Sequence, residues 1–270
     1  SNGLVLIDIS TPATPSLIGT YDSSGAAYKV SLSSDENTVY MADYYSGLVI
    51  IDISTPATPG LIGGYSTSGI SYSLEVSSDN NTVYIADDSN GFLIVDITTP
   101  GSPKLIGSYD TMGRARGVEI SDDGNTAYIS DGSDGLIILD ITNPATPNLI
   151  GTYDTSGNAY GLELSIDGNT VYLTDNSDGL LIIDISTPAT PSLIGSYNTT
   201  GSAKEVEISS DGNTAYVSDH GDGLVIIDIT TPATPSLIGT YDTTGFVSEV
   251  ELSSDENTAY LSDGSGGLII

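Results

Sequence analysis

A carboxylate returns on one beat along this chain: Glu75, Glu119, Glu163, Glu207 and Glu251 stand 44 residues apart, with Ser31 in the remaining copy. Carboxylate oxygens gathered around one axis are the donor set that Ca²⁺ takes, so these five are candidates for a channel metal site. Their repetition argues the other way. A catalytic centre needs an acid, a base and ligands in different roles, and here every copy offers the same group. The competing expectation is structural, with each Glu hydrogen-bonded to a neighbouring strand as a half-buried carboxylate must be.

The aspartates keep the same period. Asp43, Asp87, Asp131, Asp175, Asp219 and Asp263 form one series, and Asp134, Asp178 and Asp222 follow three residues later in some copies. That spacing falls short of an EF-hand loop, which needs more oxygen ligands at alternating positions. Turn-forming hydrogen bonds from Asp side chains to nearby amides explain it more simply. Asp8, Asp52, Asp96, Asp140, Asp184 and Asp228 precede Pro-containing loops and are expected to tie down local amides in the same way. Other reactive groups are scarce: there is one His, His220, no Cys, no Gly-x-Ser-x-Gly elbow and no His-Glu-x-x-His pair. No catalytic residue is assigned, the chain is expected not to be an enzyme, and no cofactor is expected beyond Ca²⁺. Asn80 and Asn198 begin glycosylation sequons, a short pattern that often arises by chance.

The rarest side chains concentrate in variable segments. After each Tyr-x-x-Asp the next three residues change, from Tyr44-Tyr45-Ser46 to His220-Gly221-Asp222. Lys29, Arg114, Arg116 and Lys204 lie beside Tyr28, Tyr72, Tyr160 and Phe246 in the second variable segment of each copy. The candidate ligand-binding set is therefore Tyr28, Tyr44, Tyr45, Tyr72, Arg114, Arg116, Tyr160, Lys204, His220 and Phe246, because binding residues are drawn disproportionately from exposed loops. The alternative is drift of exposed loops, with the few cations relieving acidic self-repulsion.

The elements that must carry these residues follow from the repeat. Gly3, Gly47, Gly91, Gly135, Gly179, Gly223 and Gly267 each precede an apolar run at intervals of 44 residues. In the fifth copy, Ala203 to Ser209 alternates Val206 and Ile208 with Glu205 and Glu207, followed by an Asp211-Gly212-Asn213-Thr214 turn. This is strand A. Thr214 to Ser218 reads as strand B, Gly223 to Ile229 as strand C and Ser236 to Tyr241 as strand D, and no stretch is patterned for a helix. Strand C is apolar at successive positions, Leu224-Val225-Ile226-Ile227, so both of its faces must be covered. Blades stacked around an axis do that, and four strands per period is the size of one propeller blade. The Thr231-Pro232-Ala233-Thr234-Pro235 connection cannot extend the ladder, because Pro lacks the amide donor.

Composition restricts the partners. Thirty-six acidic residues against five Lys and Arg give a net charge of -31, which repels nucleic-acid phosphates and anionic lipid headgroups. On that ground, and for lack of a long apolar run, neither nucleic-acid binding nor membrane insertion of this segment is expected. Without Cys, disulfides cannot staple the fold, and 270 residues can bury a core without them. The opening Ser1-Asn2-Gly3 and the final Leu268-Ile269-Ile270, inside an apolar run, read as an excerpt of a longer chain.

The runs Leu48 to Asp52 and Leu224 to Asp228, the Pro-x-Leu-Ile-Gly-x-Tyr strand and the Ala-Tyr-x-x-Asp strand resemble the LVIVD-repeat family of bacterial and archaeal surface proteins over the whole chain, with Phe92 and Val95 as departures. The resemblance implies a β-propeller, extracellular or at the cell surface, and says little about activity. The expected architecture is a single all-β domain over residues 1–270, a six-bladed propeller of 44-residue repeats. Roughly 25 strands are countable where a closed six-bladed ring needs about 24. The N-terminal C-D pair is expected to join the last A-B pair, which leaves Gly267, Leu268, Ile269 and Ile270 as a surplus strand or has them pair elsewhere. An unpaired apolar edge invites strand addition, so end-to-end self-association or contact with neighbouring domains is the first functional expectation, a structural or adhesion module. The second is binding of polysaccharide or a surface protein on the variable loop face. The third is a channel-metal hydrolase.

Overall fold

Val and Ile crowd the C strands because both faces of those strands are interior. In a computed structural model, which describes residues 3–264 and 266–270, Ile50, Ile51, Ile94, Val95, Ile182 and Ile183 are fully buried. Successive side chains on a strand point to opposite faces, so Ile182 packs with Ala203, Val217 and Ile227 of the following repeat while Ile183 packs with Tyr128, Leu136 and Ile138 of the preceding one. Each such residue contributes about 1.5–3 kcal/mol of burial. The core is thus a series of apolar layers between consecutive repeats.

The chain is all-β, a six-bladed propeller of antiparallel blades. In the fifth copy, strand A (Ala203–Ile208), strand B (Thr214–Asp219), strand C (Gly223–Asp228) and strand D (Ser236–Tyr241) pair in that order, with Glu207 opposite Tyr216, Tyr216 opposite Ile226 and Ile226 opposite Gly239. A register shift between Ile226 and Ile227 leaves Ile238 as an extra residue on strand D. Four other complete sheets repeat this order.

Two compact units divide the chain: residues 1–120 with 140–148, and residues 121–139 with 149–270. In the first, strand A of one repeat lies on strand A of the next, Lys29–Leu32 on Ser73–Val76 and Ser73–Val76 on Gly117–Ile120. In the second, Ala159–Leu164 lies on Ala203–Ile208, which lies on Val247–Leu252. Strand A is therefore the strand through which repeats meet. Strand D is the opposite edge, where Leu17, Leu61, Leu105, Leu149 and Leu237 are exposed.

The Gly of Pro-x-Leu-Ile-Gly-x-Tyr is fixed by a close approach. A Cβ on Gly63 would lie 2.3 Å from the carbonyl oxygen of Pro100, in the Pro loop of the next repeat. Gly19, Gly107, Gly151 and Gly195 meet Pro56, Pro144, Pro188 and Pro232 in the same way. The rigid Pro loop is thus a wedge between repeats as well as a chain break.

The expected pairing at the chain ends is different. Leu4–Asp8 and Ser16–Tyr21 form a two-stranded sheet, and Gly267–Ile269 pairs with Ala259–Asp263 as the third strand after Val247–Leu252. Asp263 lies opposite Gly267, Ser262 opposite Leu268 and Leu261 opposite Ile269, so this segment takes the C position beside strand B that had been expected to receive the N-terminal pair. Its physical reason is proximity in sequence: Gly267 follows Asp263 by only four positions, so pairing these two segments costs little chain entropy. Leu268 and Ile270 remain exposed.

Candidate functional site

The variable segments gather at the start of strand A and after strand B, and a relay between repeats positions them. In the first unit Asp87, fully buried, accepts hydrogen bonds from the Gly69 amide at 3.2 Å and from Ser71 Oγ at 2.6 Å. The Ser71 amide in turn donates to the carbonyl of Tyr44 in the preceding repeat at 3.1 Å. One repeat further on, Asp88 and Ala115 exchange both backbone hydrogen bonds at 3.1 Å. These bridges bring Tyr72 beside Tyr44 and Arg116 beside Asp88.

The result is an aromatic platform. Tyr28 stacks on Tyr44 with ring centroids 5.5 Å apart, meets Tyr72 edge-on at 4.9 Å, and Tyr45 meets Tyr44 edge-on at 4.2 Å. The Arg116 guanidinium lies over the Tyr72 ring, 4.2 Å from its centroid, and its Nη2 is 3.9 Å from Asp88 Oδ1. The Tyr44 phenol is pushed up to about 12, first by its hydrogen bond with Tyr45 and then by burial and the neighbouring phenols, so it stays protonated at physiological pH. Tyr45 and Tyr28 remain exposed, so the platform presents π-faces and hydroxyls to solvent, while the Arg116–Asp88 pair lies mostly buried beneath its margin.

The second unit holds a different cluster. Lys204 Nζ lies 3.6 Å from the centroid of Tyr160 and 3.4 Å from Asn176 Oδ1, which also accepts from Ser202 Oγ. His220 packs against Phe246 at 5.0 Å, and its amide donates to the Ser202 carbonyl at 3.0 Å. Burial, and then the Lys204 charge, hold the His220 imidazole below its ordinary range, with Asp219 opposing.

Nine of the ten expected binding residues therefore fall into two clusters, while Arg114 stands exposed outside both. Asp88 and Asn176 had not been singled out. The period contains the signal: Asp88 and Asn176 share the place of Tyr44 and His220 in the repeat, and Arg116 and Lys204 share that of Tyr28, Tyr72 and Tyr160.

The carboxylate series do other work. Glu75, Glu163, Glu207 and Glu251 sit directly across from Tyr84, Tyr172, Tyr216 and Tyr260 of strand B, and all five glutamates, Glu119 included, engage in polar or electrostatic interactions. Among the described residues no three His, Asp or Glu side chains come together as a group able to hold a metal ion. Asp43, Asp175, Asp219 and Asp263 anchor the loop before strand A as Asp87 does, through Ser23 and Gly25, Asn158, Ser202 and Thr243. A cleft of about 380 Å³ lined by Tyr65, Thr67, Asn90, Leu93, Leu105 and Ser108 contains none of the ten candidate binding residues.

Solved structures with this architecture include enzymes. The periplasmic gluconolactonase of Pseudomonas aeruginosa superposes with a TM-score of 0.79 at 14% identity, covering 94% of this chain and 83% of that one. A candidate 6-phosphogluconolactonase from Bacteroides uniformis gives 0.81 at 13% identity over 98% and 86% of the two chains. The β-propeller domain of Cps50 (Swd1) from Myceliophthora thermophila gives 0.71 at 15% identity over 92% and 86%. These likenesses concern the fold, yet they correct the expectation that the chain is not an enzyme: solved propellers of this build carry lactonase names, so that expectation does not stand. No curated protein matches in sequence. A family model described as the LVIVD repeat matches residues 1–23, 24–67, 69–111, 112–155, 157–199 and 200–243, and the chain belongs to that family.

Proposed function

We propose that this propeller is an exported, surface-associated binding module that takes a carbohydrate on the platform of Tyr28, Tyr44, Tyr45, Tyr72 and Arg116. One observation carries the reading. Tyr44 has left-handed backbone, φ +45°, a conformation that is an outlier for a bulky residue, whereas two other repeats place Gly132 and Gly264 at that position. Strain of this kind costs about 1–3 kcal/mol and gathers at functional sites. A tyrosine kept where Gly is the relaxed solution is kept for its side chain.

The chemistry of the platform suits a sugar. The C–H face of a pyranose is weakly positive and packs on the negative face of an aromatic ring, and the phenol hydroxyls of the exposed Tyr28 and Tyr45 offer hydrogen bonds to sugar hydroxyls, with Arg116 and Asp88 bracing Tyr72 from beneath. Tyr and Arg are also the residues that dominate binding energies at recognition surfaces. The lactonase names of two structural neighbours refer to sugar-derived substrates, which agrees with this class at the level of fold analogy. Screening the purified chain against a panel of oligosaccharides tests the reading: binding that Tyr44→Gly and Tyr72→Ala both remove supports it, and binding indifferent to both variants overturns it.

A further inference from the structure

We propose that the second unit carries a separate anion site, in which Lys204, with Tyr160, Asn176, His220 and Phe246 around it, binds the carboxylate of a small hydroxy acid such as a uronate. The argument is a comparison between repeats. Arg116 and Lys204 occupy one position of the repeat, and Asp88 and Asn176 occupy another, each pair separated by two periods. In the first unit the cation faces a carboxylate, Asp88, at 3.9 Å. In the second that carboxylate is replaced by an amide, so Lys204 faces Asn176 Oδ1 at 3.4 Å and makes no ion pair with a carboxylate among the described residues.

An unpaired ammonium is unexpected in this protein. With 36 acidic residues and five Lys and Arg, carboxylates are the commonest charged neighbours available, and a half-buried cation loses hydration without gaining a counter-charge. The Tyr160 face offsets part of that loss, about 0.5–2 kcal/mol. An ammonium has three donors, and Asn176 accepts from one. The two that remain and the single positive charge match one carboxylate rather than a dianion, which would call for the forked donors of Arg. Phe246, exposed beside His220, supplies an apolar wall, and the Asn176 amide and Ser202 hydroxyl supply hydrogen-bonding partners for hydroxyl groups next to the carboxylate.

Calorimetric titration of the full chain with D-glucuronate and, in parallel, with glucose, which has the same ring without the acid, tests the site. Saturable binding of glucuronate that is clearly tighter than any binding of glucose is expected. Lys204→Gln should weaken glucuronate at least tenfold. Asn176→Asp should do the same by restoring the internal ion pair seen at Asp88, with thermal stability equal to or above wild type. Lys104→Gln, which removes an exposed cation from a D strand outside both clusters, should leave glucuronate binding intact, which separates this site from a general effect of charge. Glucuronate binding unchanged in folded Lys204→Gln or Asn176→Asp, or no preference for glucuronate over glucose, would overturn the proposal.

Discussion

Tyr44 and Gly132 stand at the same place in their repeats and share one left-handed backbone, φ +45° and +53°. Replacing Tyr44 by Gly releases backbone strain of about 1–3 kcal/mol and gives up ring contacts worth about 0.5–1.5 kcal/mol each. The Tyr44→Gly variant should thus keep its stability within about 1 kcal/mol while losing carbohydrate binding. Denaturant unfolding and a binding titration on the same preparation check both halves.

Asp87 does not belong to the platform surface, yet it should matter for binding. Removing its carboxylate in Asp87→Ala deprives the Gly69 amide and Ser71 hydroxyl of their acceptor, a loss of about 1.5–3 kcal/mol for hydrogen bonds to a charged group. Ser71 is also the residue whose amide holds Tyr44, so ligand affinity should fall although all platform side chains remain. A variant with reduced stability and wild-type affinity would refute the relay.

The wedge between repeats separates two chemically identical substitutions. Gly63→Ala places a Cβ 2.3 Å from the Pro100 carbonyl, where backbone must shift, and should destabilise by about 1–3 kcal/mol. Gly239→Ala, at the same place in its repeat with nothing within 4 Å of the added Cβ, should be neutral or slightly stabilising. Thermal melts of the two variants compare them directly.

The repeated aspartates set the acid limit of the fold. In the A-to-B turns, hydrogen bonds from Ser, Asn and backbone groups hold Asp35, Asp79, Asp123, Asp167, Asp211 and Asp255 below the ordinary carboxylate value. Asp8, Asp52, Asp96, Asp140, Asp184 and Asp228 are lowered by Ser or Thr two residues on. A lowered folded value means that the unfolded chain binds more protons in acid. The stability is therefore fully present well above the unfolded Asp value of about 3.9 and is lost as pH falls through the lower folded values. Unfolding free energy at about 0.5 M NaCl, where charge repulsion is screened, should fall steeply below about pH 4. A rise over that interval would contradict the assignment.

Much of this architecture is legible in the sequence because the period writes it repeatedly. The successive apolar residues of Leu224 to Ile227 demand two covered faces, and the layers around Ile182 and Ile183 supply them. The pairing of Gly267–Ile269 was less legible, since its apolar pattern fits any strand edge and only local chain geometry selects strand B of its own repeat. At the site, the aromatic and basic residues stood out by rarity. Their partners Asp88 and Asn176 did not, because in an acidic chain rich in Asp and Asn only their register, and the backbone bridge of Asp88 to Ala115, give them meaning. The clearance between Gly63 and Pro100 is also invisible to pattern, being set by how closely two repeats approach.

The most direct test of the carbohydrate platform is an NMR titration of the chain labelled at its 17 tyrosines, using an oligosaccharide that binds in the panel screen. Ring signals of Tyr28, Tyr44, Tyr45 and Tyr72 should shift together with one saturation curve, while the buried strand B tyrosines such as Tyr84 and Tyr172 stay in place. Shifts that leave those four rings untouched, or that fall on tyrosines of the outer D strands instead, would contradict the account.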